Sequence, residues 1–312
     1  MEKTKENRQV RREAPGKINL HLRVKGLRAD GYHALESIFL ALDWGDTLRL
    51  DAAKGPGTCE LFRNCLLPQG ELPFPPEQDL VYRAAVLFRA KTGFDRALRI
   101  ELDKRIPLGA GLGGGSSDAA AVLLALDQLA GTGLSQAALR TLAEALGSDV
   151  PFFLSPGAAL VHGRGEELAP LDPPENIRVV LVNPGFPQDT AEAFRLLDLE
   201  RGRGWPAPEE PEPGTLAKAL SGPPVLWPYG NDFLPLFLER GPGEKAEAYR
   251  SIILSLKALG AEFTGLSGSG STCFGIFTNG GAADRAVQVL GGEWNFVRVT
   301  FPLARSGNAV LQ

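Results

Sequence analysis

Residues 106–118 of the chain read I-P-L-G-A-G-L-G-G-G-S-S-D, and five of the seven residues 109–115 are glycine. Glycine loses more backbone entropy on folding than any other residue, so this density needs a structural reason. One such reason is a backbone that comes very close to a ligand and turns its N–H groups towards it. The stretch therefore predicts a loop that binds through its backbone.

The sequence on either side of this loop indicates an ordered unit and not a linker. Upstream, Leu98, Ile100 and Leu102 alternate with charged residues, which predicts a strand. Downstream, Ser116 or Ser117 is a suitable N-cap for an alanine-rich helix. The apolar residues predicted on one face of that helix are Ala119, Leu123, Leu126 and Ala130. Because a helix N-terminus attracts anions, the unit predicts a site for a nucleotide phosphate.

Two well-known phosphate loops can be compared with this one. A P-loop has Lys and then Ser or Thr after its last glycine, whereas here a serine follows directly. Gly109, Gly111 and Gly114 match the G-x-G-x-x-G pattern of dinucleotide-binding folds, which stays open as an alternative. That fold also requires an acidic residue about 20 residues further on, after a second strand. Residues 133–147 instead predict a second helix, with Ser135 as its N-cap and a glycine at its end.

Composition limits the class of protein. The 312 residues are 44% hydrophobic and 22% charged, which is typical of a globular chain with one large or two ordinary domains. The net charge of −4 indicates no general affinity for nucleic acid or an anionic membrane. Three cysteines cannot form a disulfide framework, and no apolar run is long enough to span a membrane. Since the charged N-terminus also lacks a secretory signal, we expect a cytoplasmic protein.

The first half predicts two further strands before the glycine loop. The first dozen residues are expected to be an unstructured lead-in. A period of two over residues 18–24 then predicts a strand, with Lys17 and Asn19 together on its polar face. A turn at residues 44–46 is expected before a second strand that contains Leu48 and Leu50. A helix is expected at about residues 80–91.

The second half alternates strands and helices, which indicates helices packed on a sheet. The predicted elements are a strand from residue 178 to 182, a helix at 244–259, a strand at 272–277, a helix at 284–290 and a strand at 296–300. Residues 201–230 contain seven prolines and predict a long surface excursion. A second glycine- and serine-rich stretch, residues 265–271, does not open a helix in the way that the first one does.

Lys17 and Asp149 are the candidate catalytic residues. A lone lysine on an edge strand is usually solvated, but a lysine beside a substrate hydroxyl or an aspartate would supply the positive charge that phosphoryl transfer needs. An aspartate next to a helix end is usually a cap. Asp149, however, is followed by V-P-F-F, so its carboxylate enters apolar surroundings where it needs a partner. A paired aspartate can accept a proton from a substrate hydroxyl.

Three further residues carry possible chemistry. Tyr32 and His33 follow a D-G turn, which fits an ordinary hairpin with a half-buried tyrosine. It fits a binding site equally well, in which Tyr32 would offer a stacking face to a planar base and His33 a polar edge. Asp118 would ordinarily interact with the helix dipole. It could also help to place the Mg²⁺ that nucleotide phosphates bring with them.

The motifs P-G-K-I-N-L at residues 15–20, P-L-G-A-G-L-G-G-G-S-S-D at 107–118 and L-S-G-S-G-S-T-C-F at 266–274 together resemble those of the GHMP kinases. This family of small-molecule kinases includes galactokinase, homoserine kinase and mevalonate kinase. Within it, R-A-D-G-Y-H, L-D-W-G-D-T-L and G-S-D-V-P-F-F are similar to the branch that acts on a cytidine-diphosphate methylerythritol in non-mevalonate isoprenoid synthesis. The likeness runs from about residue 13 to about residue 305.

The resemblance implies an α/β (α+β) fold of two domains. Residues 1–165 would form an ATP-binding and catalytic domain like domain 2 of ribosomal protein S5, and residues 166–312 a ferredoxin-like substrate domain. It implies an ATP-dependent kinase that phosphorylates the 2-hydroxyl of its substrate, with Mg²⁺ as cofactor. The partner would be this small molecule, with neither nucleic acid nor a membrane, and the chain would be a monomer or weak homodimer.

The resemblance also assigns residues. Lys17 and Asp149 would be the catalytic pair, with Asp149 as the base. Asn19, Tyr32, His33 and Phe194 would contact the substrate, with Tyr32 and Phe194 on opposite faces of the cytosine. The residues that would bind ATP are Pro107, Leu108, Gly109, Ala110, Gly111, Leu112, Gly113, Gly114, Gly115, Ser116 and Ser117. The metal ligands are not identified by this likeness.

Three alternatives stay open at this point. A GHMP kinase for homoserine or mevalonate would have no use for a base-stacking residue at position 32. A nicotinamide-dependent dehydrogenase would use the G-x-G-x-x-G pattern but would leave Lys17 and Asp149 unexplained. A non-catalytic nucleotide sensor would not need those two residues for its activity.

Overall fold

The computed structural model describes residues 8–67, 70, 72–207, 209, 211–212 and 214–304. The chain divides into two compact units, each assembled from separate segments. The first unit contains described residues from segments 1–16, 44–107 and 113–156. The second contains segments 17–43, 108–112 and the described residues from 157 onwards.

Ten strands and eight α-helices make up the described part of the chain. The strands are β1 (Arg8–Leu27), β2 (His33–Pro56), β3 (Cys59–Cys65), β4 (Arg96–Lys104), β5 (Ala158–His162), β6 (Glu167–Leu171), β7 (Arg178–Asn183), β8 (Phe263–Leu266), β9 (Cys273–Phe277) and β10 (Phe296–Thr300). The helices are α1 (Leu80–Thr92), α2 (Gly114–Ala130), α3 (Gln136–Leu146), α4 (Thr190–Gly202), α5 (Thr215–Ala219), α6 (Phe233–Arg240), α7 (Gly243–Ala258) and α8 (Gly280–Leu290). Strands β1 and β2 pair with each other and contribute residues to both units.

The first unit is a sheet with three helices. The second half of β2 pairs antiparallel with β4, so that Leu48 lies opposite Leu102 and Leu50 opposite Ile100. Strand β3 pairs with β4 in parallel. Helices α1, α2 and α3 pack on one another, and the period-two leucines of the strands are fully buried. The apolar face of β4 that the sequence predicts is therefore confirmed.

The second unit contains a four-stranded antiparallel sheet in the order β10-β7-β9-β8. Counted along the chain from β7, this order is 4-1-3-2, and helices α7 and α8 pack on these strands. That is the ferredoxin-like arrangement, as expected for the C-terminal part. Buried aromatic rings fill its core, among them Phe233, Phe237, Tyr249 and Phe277. In the same unit, the first half of β2 pairs with β5, and β5 pairs with β6.

Two predictions for the N-terminal strands are wrong. Residues 8–12, expected in an unstructured lead-in, belong to β1, while residues 1–7 lie outside the described part. The expected turn at residues 44–46 is absent, since β2 runs through it without a break. Gly45 is needed there for another reason: a Cβ at this position would lie 2.0 Å from the carbonyl oxygen of Ala14. The glycine allows close approach of two strands instead of reversing the chain.

The caps of the two helices after the glycine loop give opposite results. Neither Ser116 nor Ser117 is the N-cap of α2, which begins earlier, with the left-handed Gly113 as its cap. Ser135 is the N-cap of α3, as predicted, and its side chain accepts a hydrogen bond from the N–H of Ala138. Helix α3 also ends before Gly147, as predicted.

The proline-rich segment 201–230 is more ordered than the sequence suggests. It contains helix α5, and the rings of Trp227 and Tyr229 are buried. The Tyr229 hydroxyl donates to the carbonyl oxygen of Leu216 at 2.8 Å, which ties the end of the segment to α5. Most other described residues of the segment are exposed or half-buried, as a surface excursion predicts, while Pro208 and Pro213 lie outside the described residues.

Candidate active site

Lys17 and Asn19 lie in β1 and are almost completely buried. The Nζ atom of Lys17 donates to Oδ1 of Asn19 at 2.6 Å and lies 4.6 Å from the centre of the Phe39 ring. The side-chain amide of Asn19 in turn donates to Oγ of Ser37 at 2.9 Å. Because burial of an ammonium group is unfavourable without such partners, this lysine is not a solvated residue of an edge strand. The structure thus brings together two of the predicted site residues.

Every second residue from 109 to 113 is a glycine with left-handed backbone conformation. Gly109, Gly111 and Gly113 have φ angles of +59°, +74° and +71°, in the left-handed region that other residues rarely adopt. A Cβ on Gly111 would lie only 2.0 Å from the carbonyl oxygen of Ser267, so no side chain fits there. Part of the glycine density is therefore required by close contacts within the chain itself.

Ser267 connects this loop with β1. Its hydroxyl donates to the carbonyl oxygen of Gly111 at 2.8 Å and accepts the backbone N–H of Asn19 at 3.2 Å. Ser267 is completely buried, so no water competes for these groups at its surface. A single side chain thereby fixes a predicted nucleotide-binding residue relative to a predicted substrate-binding residue.

Two backbone hydrogen bonds hold residues 108–112 in the same place. The N–H of Lys17 donates to the carbonyl oxygen of Leu112 at 2.9 Å, and the N–H of Thr272 donates to that of Ala110 at 3.1 Å. The middle of the glycine loop therefore lies between β1 and the second glycine- and serine-rich stretch. The role of residues 265–271 in holding the loop could not be predicted from the sequence, because contacts between segments more than 150 residues apart leave no local signal.

The remainder of the loop forms the beginning of α2. Gly113 is the cap, Gly115 is exposed, and Ser116 is partly exposed. The N–H groups in the first turn of a helix have no intrahelical partners, so they can donate to an anion. Ser117 is buried, and within the described part of the chain its hydroxyl has no hydrogen-bond partner.

Asp149 precedes a short 3₁₀ helix, Val150–Leu154, in the first unit. It occupies the N-cap position with φ −84° and ψ −15°, but its side chain does not cap that helix. The residue is partly buried, and Val150, Pro151 and Phe152 behind it are buried. Asp149 thus directly precedes a buried apolar segment. Since Lys17 belongs to the second unit, its pairing with Asp149 stays a prediction.

Tyr32 lies in the turn between β1 and β2. Oδ1 of Asp30 accepts its backbone N–H at 3.1 Å, which is the local bond expected of an aspartate in a turn. The residue is 54% exposed, and its ring packs against the guanidinium group of Arg164, 5.1 Å away. An aromatic face with this exposure is accessible to a planar ligand.

His33 and Phe194 are in contact. Their rings stack with centres 5.0 Å apart and an angle of 26° between the planes. The Nε2 atom of His33 is 2.8 Å from Oδ1 of Asp198, which lies one turn after Phe194 on α4. The edge of Phe233 packs against the Phe194 ring, which fixes it in place. Asp198 was not found from the sequence, because one acidic residue on an amphipathic helix is unremarkable.

Asp118 does not fit the role of a magnesium ligand that the sequence suggested for it. It is buried, and its Oδ2 accepts a hydrogen bond from Nζ of Lys104 at 2.7 Å. Across the described ranges, no three His, Cys, Asp or Glu side chains gather into a metal-binding group. These residues do not form a cage for Mg²⁺, and we derive no step of the reaction through the ion.

The chain matches two family models and many named proteins. Residues 79–157 match the GHMP kinases N terminal domain, and residues 227–295 match the GHMP kinases C terminal model. The 4-diphosphocytidyl-2-C-methyl-D-erythritol kinase of Anaeromyxobacter dehalogenans is 41% identical over 286 residues, covering 90% of this chain and 84% of the relative. That of Treponema pallidum is 38% identical over 286 residues, covering 90% and 94%.

Solved structures give the same result. A crystal structure of 4-(cytidine 5'-diphospho)-2C-methyl-D-erythritol kinase superimposes with a TM-score of 0.75 at 34% identity, covering 95% of this chain and all of that one. Homoserine kinase from Cytophaga hutchinsonii gives a TM-score of 0.66 at 19% identity, covering 96% of each chain, which shows a shared fold. These likenesses do not favour the nicotinamide-dehydrogenase alternative. The chain belongs to the 4-diphosphocytidyl-2-C-methyl-D-erythritol kinases of the GHMP kinase family.

Proposed function

We propose that this protein transfers the γ-phosphoryl group of ATP to the 2-hydroxyl of 4-diphosphocytidyl-2-C-methyl-D-erythritol. The observation that carries the proposal is the buried Ser267 hydroxyl, which bonds to both Gly111 and Asn19. A kinase must hold its phosphate donor and its acceptor in a fixed geometry, because phosphoryl transfer depends mainly on positioning and electrostatics. One side chain that links the donor loop to the acceptor strand supports that requirement.

In the proposed reaction, the 2-hydroxyl oxygen attacks the γ-phosphorus atom of ATP, and ADP leaves with the electrons of the broken P–O bond. Asp149 accepts the hydroxyl proton as the general base. The ammonium group of Lys17 offsets negative charge that develops during transfer. Asn19, which already accepts a hydrogen bond from Lys17, orients that ammonium group and contacts the substrate.

ATP is proposed to bind residues 107–117, with its phosphates at the N-terminus of α2. The exposed Gly115 and the left-handed Gly113 leave the N–H groups of this turn accessible, which supports the assignment. Mg²⁺ would arrive with the nucleotide, since it is usually held by phosphates, water and one or two carboxylates.

The cytidine moiety is proposed to bind at Tyr32, His33 and Phe194. The exposed face of Tyr32 and the contact between His33 and Phe194 support a site for a planar base. The division into a catalytic domain, residues 1–165, and a substrate domain, residues 166–312, belongs to the same proposal. The cytoplasmic location and the monomeric or weakly dimeric state belong to it too. No helix in the described ranges is long and apolar enough to cross a membrane.

An acceptor panel tests the proposal. The purified protein is incubated with ATP and Mg²⁺ and either 4-diphosphocytidyl-2-C-methyl-D-erythritol, mevalonate or homoserine, and ADP release is followed. We expect turnover with the first acceptor alone. Comparable turnover with mevalonate or homoserine would overturn the substrate assignment, and ATP binding without turnover on any of the three would favour a nucleotide sensor.

The catalytic assignment needs a separate test. Asp149→Asn and Lys17→Met are expected to lower kcat by about 10²-fold or more, because each removes a group that acts in the transition state. Calorimetry should show that both variants still bind ATP within about threefold of the wild type, since neither residue is in the proposed phosphate loop. Turnover of the Asp149 variant close to that of the wild type would exclude it as the base.

A further inference from the structure

Lys104 is the last residue of β4 and is almost completely buried, yet it is not in the predicted site. Its Nζ atom donates to Oδ2 of Asp46 and, at 2.7 Å, to Oδ2 of Asp118. Asp46 comes from β2 and Asp118 from the second turn of α2, and both are buried. One ammonium group therefore connects three elements of the first unit. We refer to Lys104, Asp46 and Asp118 as the buried triad.

The buried triad holds both ends of the glycine loop. The chain leaves β4 at Lys104 and enters α2 at Gly114, and the bond from Lys104 to Asp118 spans 14 residues. At the near end, Oδ1 of Asp46 accepts the backbone N–H groups of Arg105 and Ile106, the latter at 2.8 Å. These N–H groups follow directly on the end of a strand, where the sheet no longer provides acceptors. Asp46 thus fixes the direction in which the chain enters the loop.

Gly114 shows how closely the buried triad fits the start of the helix. A Cβ on this residue would lie 3.0 Å from Nζ of Lys104 and 2.9 Å from Cγ2 of Ile106. The backbone of Gly114 is helical and needs no glycine for conformational reasons. Its glycine is instead explained by the side chains of Ile106 and Lys104 beside it, which a Cβ would displace.

The charges within the buried triad also matter. Burial disfavours the ammonium form of Lys104, but the carboxylates of Asp118 and Asp46 outweigh this effect and raise the pKa of Lys104. Burial raises the pKa of Asp118 well above its ordinary value, against the opposing influence of Lys104. Within the described residues, Oδ1 of Asp118 has no hydrogen-bond partner, so Asp118 meets Lys104 through Oδ2 alone.

We propose that Lys104, Asp46 and Asp118 act as positioning residues for the glycine loop, the proposed phosphate-binding loop, by fixing its two ends in the geometry that binds ATP. The inference rests on the proposed function of that loop. A loop whose ends are already fixed loses less entropy when it binds a ligand, so the buried triad raises affinity for ATP without touching it. Asp46 acts through direct bonds to the backbone at the near end, and Lys104 joins Asp46 to Asp118, which provides an oxygen acceptor at the far end.

The test compares the dissociation constant for ATP, measured by calorimetry, with the melting temperature and with KM for the acceptor. Asp46→Ala and Lys104→Met should each weaken ATP binding by about tenfold or more, which corresponds to about 1.4 kcal/mol. Asp118→Asn keeps an oxygen acceptor for Lys104 and should stay within about threefold of the wild type. KM for the acceptor should change by less than about twofold in all three variants.

Asp232→Asn is the matched control. Asp232 is equally buried, accepts hydrogen bonds from Arg23, Arg201 and the N–H of Val24, and lies outside the phosphate loop. It should lower the melting temperature while leaving the affinity for ATP unchanged. A loss of ATP affinity in this control that matches the loss in Lys104→Met would reduce the role of the buried triad to general stability.

Other outcomes also decide the question. If Lys104→Met folds and binds ATP like the wild type, the inference is wrong. If Lys104→Met does not fold, Asp118→Ala, which removes one acceptor only, replaces it with the same expectation. A wild-type protein that binds ATP but does not phosphorylate the acceptor would contradict the proposed function and leave the positioning role standing.

Discussion

The hydroxyl group of Ser267 provides the sharpest single perturbation. Ser267→Ala removes one donor and one acceptor and leaves two backbone groups without this partner, the partly buried carbonyl oxygen of Gly111 and the buried N–H of Asn19. Loss of the partner of a fully buried polar group costs roughly 1–3 kcal/mol, and less where water can reach the group, so the free energy of unfolding should fall by about 2–4 kcal/mol. Urea unfolding at equilibrium measures this change, and an unaltered m-value would show that the denatured state is unaffected.

Ser269→Ala is the control for this variant. Ser269 is in the same loop and its hydroxyl pairs with that of Thr190 at 3.0 Å, so only one side-chain pair is lost. We expect a loss below about 1.5 kcal/mol there. In Ser267→Ala, kcat should also fall by about tenfold or more, because the donor loop and the acceptor strand lose their shared contact. Equal stability losses in the two variants, with kcat unchanged in both, would refute the reasoning.

Three further predictions follow from other contacts. Gly111→Ala should abolish ATP binding or folding, because its Cβ would meet the Ser267 carbonyl oxygen at 2.0 Å. Gly133→Ala is the control: its φ is +60° but the space around it is open, so it should lower the free energy of unfolding in urea by only about 1–2 kcal/mol. Burial, together with the charges of Arg23 and Lys25, lowers the pKa of His21 from 6.5 to about 3. Between pH 6.5 and 3 the unfolded state therefore binds more protons than the folded state, so the free energy of unfolding should fall as the pH decreases, by at most about 1.4 kcal/mol per pH unit. In His21→Asn the free energy of unfolding should depend less steeply on pH. Tyr32→Ala should raise KM for the acceptor by about tenfold, as loss of a base-stacking contact predicts, with KM for ATP unchanged; equal shifts in both constants would contradict a base site at Tyr32.

Local signals predicted much of the fold. Alternating leucines identified β4, and the cap at Ser135 together with the glycine after α3 fixed both ends of that helix. These features depend on residues within a few positions of one another, so the sequence carries them directly. The start of α2 could not be read in this way, because a left-handed glycine caps it and the two serines that resemble caps lie inside the helix.

Long-range contacts explain what the sequence did not show. Gly45 was taken for a turn residue because its neighbour, the carbonyl group of Ala14, is known only from the structure. Lys104 ends β4 on the same face as its buried apolar residues, and the reason for a lysine there is known only once Asp46 and Asp118 are seen around it. Ser267 belongs to a stretch that the sequence marked, but its contact with Gly111 joins residues 156 positions apart. The candidate site could thus be predicted by motif, while the contacts that hold it could not.

The identity of the phosphorylated position tests the central proposal most directly. The protein is incubated with ATP, Mg²⁺ and 4-diphosphocytidyl-2-C-methyl-D-erythritol, and the product is examined by phosphorus NMR and mass spectrometry. We expect one added phosphate monoester on the 2-hydroxyl of the methylerythritol, formed together with an equal amount of ADP and absent from a parallel reaction with Asp149→Asn. A phosphate on the ribose or on another hydroxyl, or ADP formed without any phosphorylated product, would contradict the account.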